Sequence, residues 1–124
     1  MSNSLLIYEN KLIKIEIEEF EIPWLKIFTQ DIIKEFSQCS QEIKLEILRV
    51  LDIIEKEMIE YFNPDKINIA SFGNYVPHVH FHIQARFKKD SYFPEPTWGI
   101  KQRDFKVELK DFNNFYKNLI IKLK

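Results

Sequence analysis

Glycine and cysteine are scarce in this sequence, and neither sign of charge is in excess. Only two glycines, Gly73 and Gly99, occur in 124 residues, and no repeat, low-complexity tract or linker interrupts the chain. The single cysteine, Cys39, excludes an intrachain disulfide and fits a reducing compartment. Formal net charge is -1, with no block of like charge. A duplex nucleic acid held through its phosphates calls for a basic stripe, so such polyanions are disfavoured as partners, whereas a small phosphorylated ligand needs only a few local donors. No run approaches the roughly 18 apolar residues of a spanning helix, and Met1 to Leu12 lacks a basic flank followed by a long apolar stretch. The expectation is a cytoplasmic protein with no membrane partner.

The length fits one domain, 1–124, able to bury one sizeable core. Hydrophobic residues make up 45%, including eleven phenylalanines, so an aromatic and β-branched core is expected. Leu5 to Tyr8 is a short apolar run, and Glu9-Asn10-Lys11 a polar break. Leu12 to Glu18 alternates, with Ile13, Ile15 and Ile17 on one side, as in a half-buried strand. Trp24 to Phe28 follows Pro23 as a third strand. Ser40 to Phe62 predicts a helix, with Ser40 as N-cap, Glu42 in the first turn and a stripe through Ile43, Ile47, Val50, Leu51, Ile54, Met58 and Tyr61. Strands are predicted over Ile67 to Phe72 and Val76 to Phe87, a loop from Lys88 to Gly99, and a last helix capped by Asp111. That order argues an α+β fold with a mainly antiparallel sheet.

All three histidines fall within five residues: His78-Val79-His80-Phe81-His82-Ile83-Gln84. On a strand, side chains alternate, so His78, His80, His82 and Gln84 share one face, with neighbours roughly 6.5–7 Å apart, while Val79, Phe81 and Ile83 face the core. Three readings fit that row. It is a solvated face, although such faces usually carry Lys, Glu and Thr. It is a metal site through His-x-His, needing a further carboxylate because the outer pair is roughly 13 Å apart. Or it performs phosphate chemistry.

The run resembles the motif of the histidine-triad (HIT) family, His-φ-His-φ-His-φ-φ with φ apolar, at six of seven positions. Gln84 stands where an apolar residue is usual. The flanks Lys66 to Pro77, Ala85-Arg86-Phe87, Asp90 and Pro94-Glu95-Pro96-Thr97-Trp98-Gly99 resemble a bacterial, dinucleoside-polyphosphate-hydrolase-like branch, as do Pro23-Trp24-Leu25 and the Ser40 helix.

The resemblance implies a five-stranded antiparallel sheet with two main helices, a homodimer, and hydrolysis or transfer at the α-phosphate of a nucleotide. Dinucleoside polyphosphates and nucleoside phosphoramidates are the substrates it suggests. His80 would be the nucleophile of a covalent nucleotidyl intermediate. His82 would donate to a phosphate oxygen or the leaving group, and the backbone carbonyl of His78 would fix the tautomer of His80. Asn68 and Asn74 match positions that hold phosphate oxygens. Glu18 lies near the position that meets the ribose hydroxyls, and Ile27 would line the base pocket; Gln84, on the histidine face by alternation, is a further candidate substrate contact. No metal site or resident cofactor is implied; a divalent cation would enter only with the substrate's phosphates. Arg86 reads as a surface charge, and Trp98 as a core or dimer contact. After the third strand the chain reads Phe28-Thr29-Gln30-Asp31, where many members carry a proline, basic residues and a histidine. That departure motivates an alternative: a non-catalytic module that binds a purine nucleotide without turning it over.

Overall fold

The computed structural model describes residues 5–124; residues 1–4 of the expected domain lie outside it. Asn10 makes the first reversal. Its Oδ1 accepts from the backbone N–H groups of Leu12 (2.8 Å) and Ile13 (3.1 Å), an Asx turn that a short amide side chain is suited to form. The turn joins β1 (Leu6–Glu9) to β2 (Ile13–Ile17), and β3 (Trp24–Thr29) pairs antiparallel with β2. The helix α1 (Gln41–Phe62) follows, then β4 (Lys66–Ala70), β5 (His80–Arg86) and α2 (Phe112–Leu123). The five strands form one sheet in the order β1-β2-β3-β5-β4, with every pairing antiparallel. A one-turn 3-10 helix at Phe36–Gln38 adds an element the periodicity does not predict.

The Ser40 side chain accepts from Ile43 N–H, and Asn63 ends α1 in the left-handed region at φ 48°, a conformation asparagine tolerates better than most residues. Asp111 caps α2 by accepting from Asn113 N–H. The apolar stripe of α1 lies where its spacing predicts, with Val50, Ile54 and Met58 fully enclosed. Phe62 completes the stripe; Tyr61 packs only at its margin. Phe115, Leu119 and Leu123 of α2 close the same core. Glu57 is buried between the helices and bonds to Lys122.

Alternation divides the sheet into two faces. Ile13 and Ile15 of β2, Leu25 and Ile27 of β3, Ile67 of β4, and Ile83 and Ala85 of β5 join the helices in the core. The opposite parity of β3 and β5 carries Trp24, Lys26 and Phe28 against Gln84, His82 and His80. Two strand limits differ from expectation. β4 stops at Ala70, freeing Phe72, and β5 starts at His80 rather than Val76. Pro77 lacks an N–H and cannot extend the ladder; instead Val79 N–H bonds to Ile33 O at 2.7 Å.

Candidate active site

β5 delivers two of the three histidines, and the backbone just before it sets the state of the first. His80 Nδ1 donates to the carbonyl oxygen of His78 at 2.7 Å. A carbonyl only accepts, so Nδ1 holds the proton and Nε2 keeps its lone pair. The ring is stacked on Phe28 of β3, with centroids 4.8 Å apart and planes at 18°. Ser71 Oγ donates to His80 O at 2.6 Å and ties the end of β4 to the strand that carries the ring.

His82 is in the complementary state. Trp24 Nε1 donates to its Nδ1 at 3.0 Å. Indole N–H cannot accept, so the proton of neutral His82 is on Nε2. Only 9% of the residue is exposed. Burial, with the charges of His80 and Lys26, pushes its pKa down to about 4 against a weaker opposing pull from Glu18. The ring is therefore neutral at pH 7. Two imidazoles with centroids 5.1 Å apart thus present unlike functions: a lone pair on His80 and an N–H on His82.

His78 departs from the predicted row. Because β5 begins two residues later, its ring turns toward β3, where Nε2 donates to Thr29 O at 2.7 Å and lies 3.0 Å from Thr29 Oγ1. It anchors the segment whose carbonyl orients His80 and does not line the cavity.

The cavity in front of His80 and His82 has a volume of about 380 Å³ and is walled by Phe72, Gly73, Asn74, Tyr75, Val76 and Trp98. Gly73 sits at φ 77°, the left-handed region where a side chain is strained. Trp98 meets His82 (4.9 Å), Trp24 (5.3 Å) and Phe72 (4.8 Å) edge to face, yet 46% of it remains exposed. Read from sequence as core or dimer contact, it forms a cavity wall.

The remaining candidates separate. Asn74 lines the cavity. Glu18 directly follows β2, ion-paired to Lys26 at 2.9 Å, and borders a separate cavity with Phe20 and Tyr116. Ile27 is 1% exposed in the core, on the face opposite His80, because its parity on β3 is odd relative to Trp24 and Phe28. Gln84 is buried, donates to Thr97 Oγ1 at 2.8 Å and does not line the histidine cavity. Asn68 Oδ1 accepts from Arg86 Nη1 at 2.8 Å.

Arg86 is buried, not a surface charge. Nε and Nη2 grip the Asp90 carboxylate at 2.9 and 3.1 Å, and Nη2 also reaches Glu95 O at 2.8 Å. Asp90 collects N–H bonds from Phe87, Tyr92 and Phe93. Burial alone would raise its pKa, but these bonds and Arg86 hold the carboxyl below its usual value. Together with the Gln84–Thr97 bond, this network fixes the loop that carries Trp98.

Sequence reasoning missed Trp24, Phe28 and Phe72 as site residues. Period-two parity pairs Trp24 and Phe28 with the non-core side of β3, but placing them beside the histidines requires the β3–β5 register. Among the described residues, no group of three or more His, Cys, Asp or Glu side chains gathers as a metal-ligand set.

A family model described as the HIT domain matches residues 3–89, most of the chain. The chain belongs to the HIT family. Its fold is similar to that of a histidine triad protein from Bradyrhizobium japonicum, at 26% identity and TM-score 0.79, covering 98% of this chain and 93% of that one. A histidine triad protein from Marinobacter aquaeolei is similar at 24% identity and TM-score 0.79, with the same coverage of 98% and 93%. The diadenosine triphosphate hydrolase of Plasmodium falciparum, solved with Cyclomarin A, is similar in fold at 15% identity and TM-score 0.63, covering 98% of this chain and 75% of that one. No curated protein matches the chain. HIT proteins are generally nucleotide hydrolases or transferases, and here the HIT motif spans the end of a loop and the start of β5.

Proposed function

We propose that this HIT protein cleaves a nucleotide at its α-phosphate through a covalent bond to His80. The observation that carries the reading is the 2.7 Å hydrogen bond from His80 Nδ1 to His78 O, which leaves Nε2 as the nucleophilic atom at the cavity. That lone pair attacks phosphorus, the bond to the leaving group breaks, and the departing atom keeps its electron pair. His80 retains its Nδ1 proton, so the intermediate bears imidazolium charge beside a carbonyl that accepts from it. Water then attacks the same phosphorus, the pair returns to Nε2, and the surplus proton passes to solvent. His82 Nε2–H and the Asn74 amide are the neutral donors for charge developing on phosphoryl oxygens. Phosphoryl transfer asks mainly for such positioning and charge stabilisation.

The substrate classes this chemistry admits are dinucleoside polyphosphates and nucleoside phosphoramidates. Incubation with diadenosine triphosphate and adenosine 5′-phosphoramidate, followed by mass spectrometry, tests the reading. The expected result is one adenylyl group on His80 and its loss in His80→Ala. Tight nucleotide binding without modification or product would instead favour the non-catalytic module, which the absence of a basic stretch at Phe28-Thr29-Gln30-Asp31 suggests.

A further inference from the structure

The 3.0 Å bond from Trp24 Nε1 to His82 Nδ1 bears on the fate of the leaving group. A neutral imidazole with its proton on Nε2 can donate a hydrogen bond there. To give the proton away it must first gain one on Nδ1, the atom that Trp24 covers. The surroundings resist that gain. His80 lies beside it on β5, the Lys26 ammonium faces it from β3, and Glu18, whose carboxylate would favour a cation, is already held by Lys26. The other neighbours are aromatic rings of Trp24, Trp98 and Phe72.

We infer that Trp24 makes His82 a hydrogen-bond donor and not a proton donor, and so selects nucleotidyl donors whose leaving group departs unprotonated. A nucleoside phosphate or pyrophosphate meets that condition. When His80 Nε2 bonds to phosphorus and the bridging P–O bond breaks, the pair remains on an oxygen whose charge spreads over a phosphate. A phosphoramidate does not meet it. Its P–N pair would remain on nitrogen, which must carry a proton by the time the bond breaks, and neutral His82 supplies none. The inference rests on the hydrolase reading above and narrows its substrate class to polyphosphates.

The test combines a spectrum with two substrates. Long-range ¹H–¹⁵N spectra of the labelled protein should show His82 with an unprotonated Nδ1 from about pH 8 to pH 5. In Trp24→Phe, which keeps an aromatic ring and loses the N–H, His82 should titrate closer to the usual histidine range. Wild-type kcat/KM should favour diadenosine triphosphate over adenosine 5′-phosphoramidate by at least about tenfold, and Trp24→Phe should shrink that ratio by about tenfold near pH 6. A wild-type His82 protonated on Nδ1 overturns the lock whatever the variant does. Phosphoramidate turned over as fast as the polyphosphate, with the lock intact in the spectrum, overturns the selectivity. No adenylyl-His80 from either compound overturns the hydrolase reading and the selectivity with it.

Discussion

Ile13, Ile15, Leu25, Ile27, Ile83 and Ala85 face the helices from one side of the sheet, and each is at most 1% exposed. Trp24, Lys26, Phe28, His80, His82, Gln84 and Arg86 occupy the other side of β3 and β5. On the first side, size and apolarity decide which residue serves, and the side chains need no particular partner. On the second, nearly every group is matched to one named atom: His80 to His78 O, His82 to Trp24, Gln84 to Thr97, Arg86 to Asp90, Lys26 to Glu18. The helix side stabilises by burial, at about 1.5–3 kcal/mol per large aliphatic side chain. The histidine side uses that stability to hold polar groups in fixed states.

Substitutions should divide along this line. The largest effect is expected from His80→Ala, with turnover falling by about a thousandfold or more. Its unfolding midpoint in urea should move little, because the ring borders the cavity and packs chiefly on Phe28. Comparable loss of stability and of activity would erase the distinction between the faces.

Arg86→Ala comes next, because it joins the two behaviours. It strands the Asp90 carboxylate in the interior, which costs about 3–5 kcal/mol. It also releases Glu95 O and the loop that carries Trp98. KM should rise while the chemistry at His80 persists in the molecules that remain folded. Ile54→Ala, on the helix side, should cost about 2–5 kcal/mol through cavity formation, with kcat per folded molecule unchanged. Denaturant titration and active-site counting separate the two variants; a changed KM in Ile54→Ala would show that the faces are mechanically coupled.

The helix side was readable from sequence because its determinants are local. The stripe from Ile43 to Met58, the Ser40 cap and the alternation of Ile13 and Ile15 each need only a few neighbouring residues. The histidine side was readable only at its centre, where three histidines cluster. Apart from Asn74, its walls were not, because they depend on contacts between distant segments. Trp24 reaches His82 across 58 positions, and Trp98 depends on an anchor whose partners come from β4 and from the loop after β5. Ile27 shows the same limit from the other direction. Apolar lining and apolar core have one composition, and only parity against the histidine strand assigns Ile27 to the core. Arg86 looked like a surface charge because nothing near it in sequence shows that Asn68, Asp90 and Glu95 O converge on it.

The smallest expected effect concerns pH. An unfolded histidine titrates near 6.5, whereas folded His82 is held neutral down to about 4 by burial and by its neighbours His80 and Lys26. Between those values the unfolded chain binds a proton that the folded chain refuses. The stability His82 confers is therefore complete above about pH 6.5, declines as pH falls toward 4, and is gone below that. Solvent at the cavity screens the effect, so the decline should be about 1–2 kcal/mol and not the full value of the shift. Asp90 behaves in the same sense but in a lower window. Its folded pKa lies below the unfolded value near 3.9, so its contribution is kept above that pH and lost beneath it. Urea unfolding at intervals from pH 7 to about 4.5 should thus isolate the histidine. His82→Gln should flatten the slope in that range and leave the acid limb below it intact. An unchanged slope would mean that the ring opens to solvent and binds a proton without unfolding, and the histidine side would then be far less rigid than the helix side.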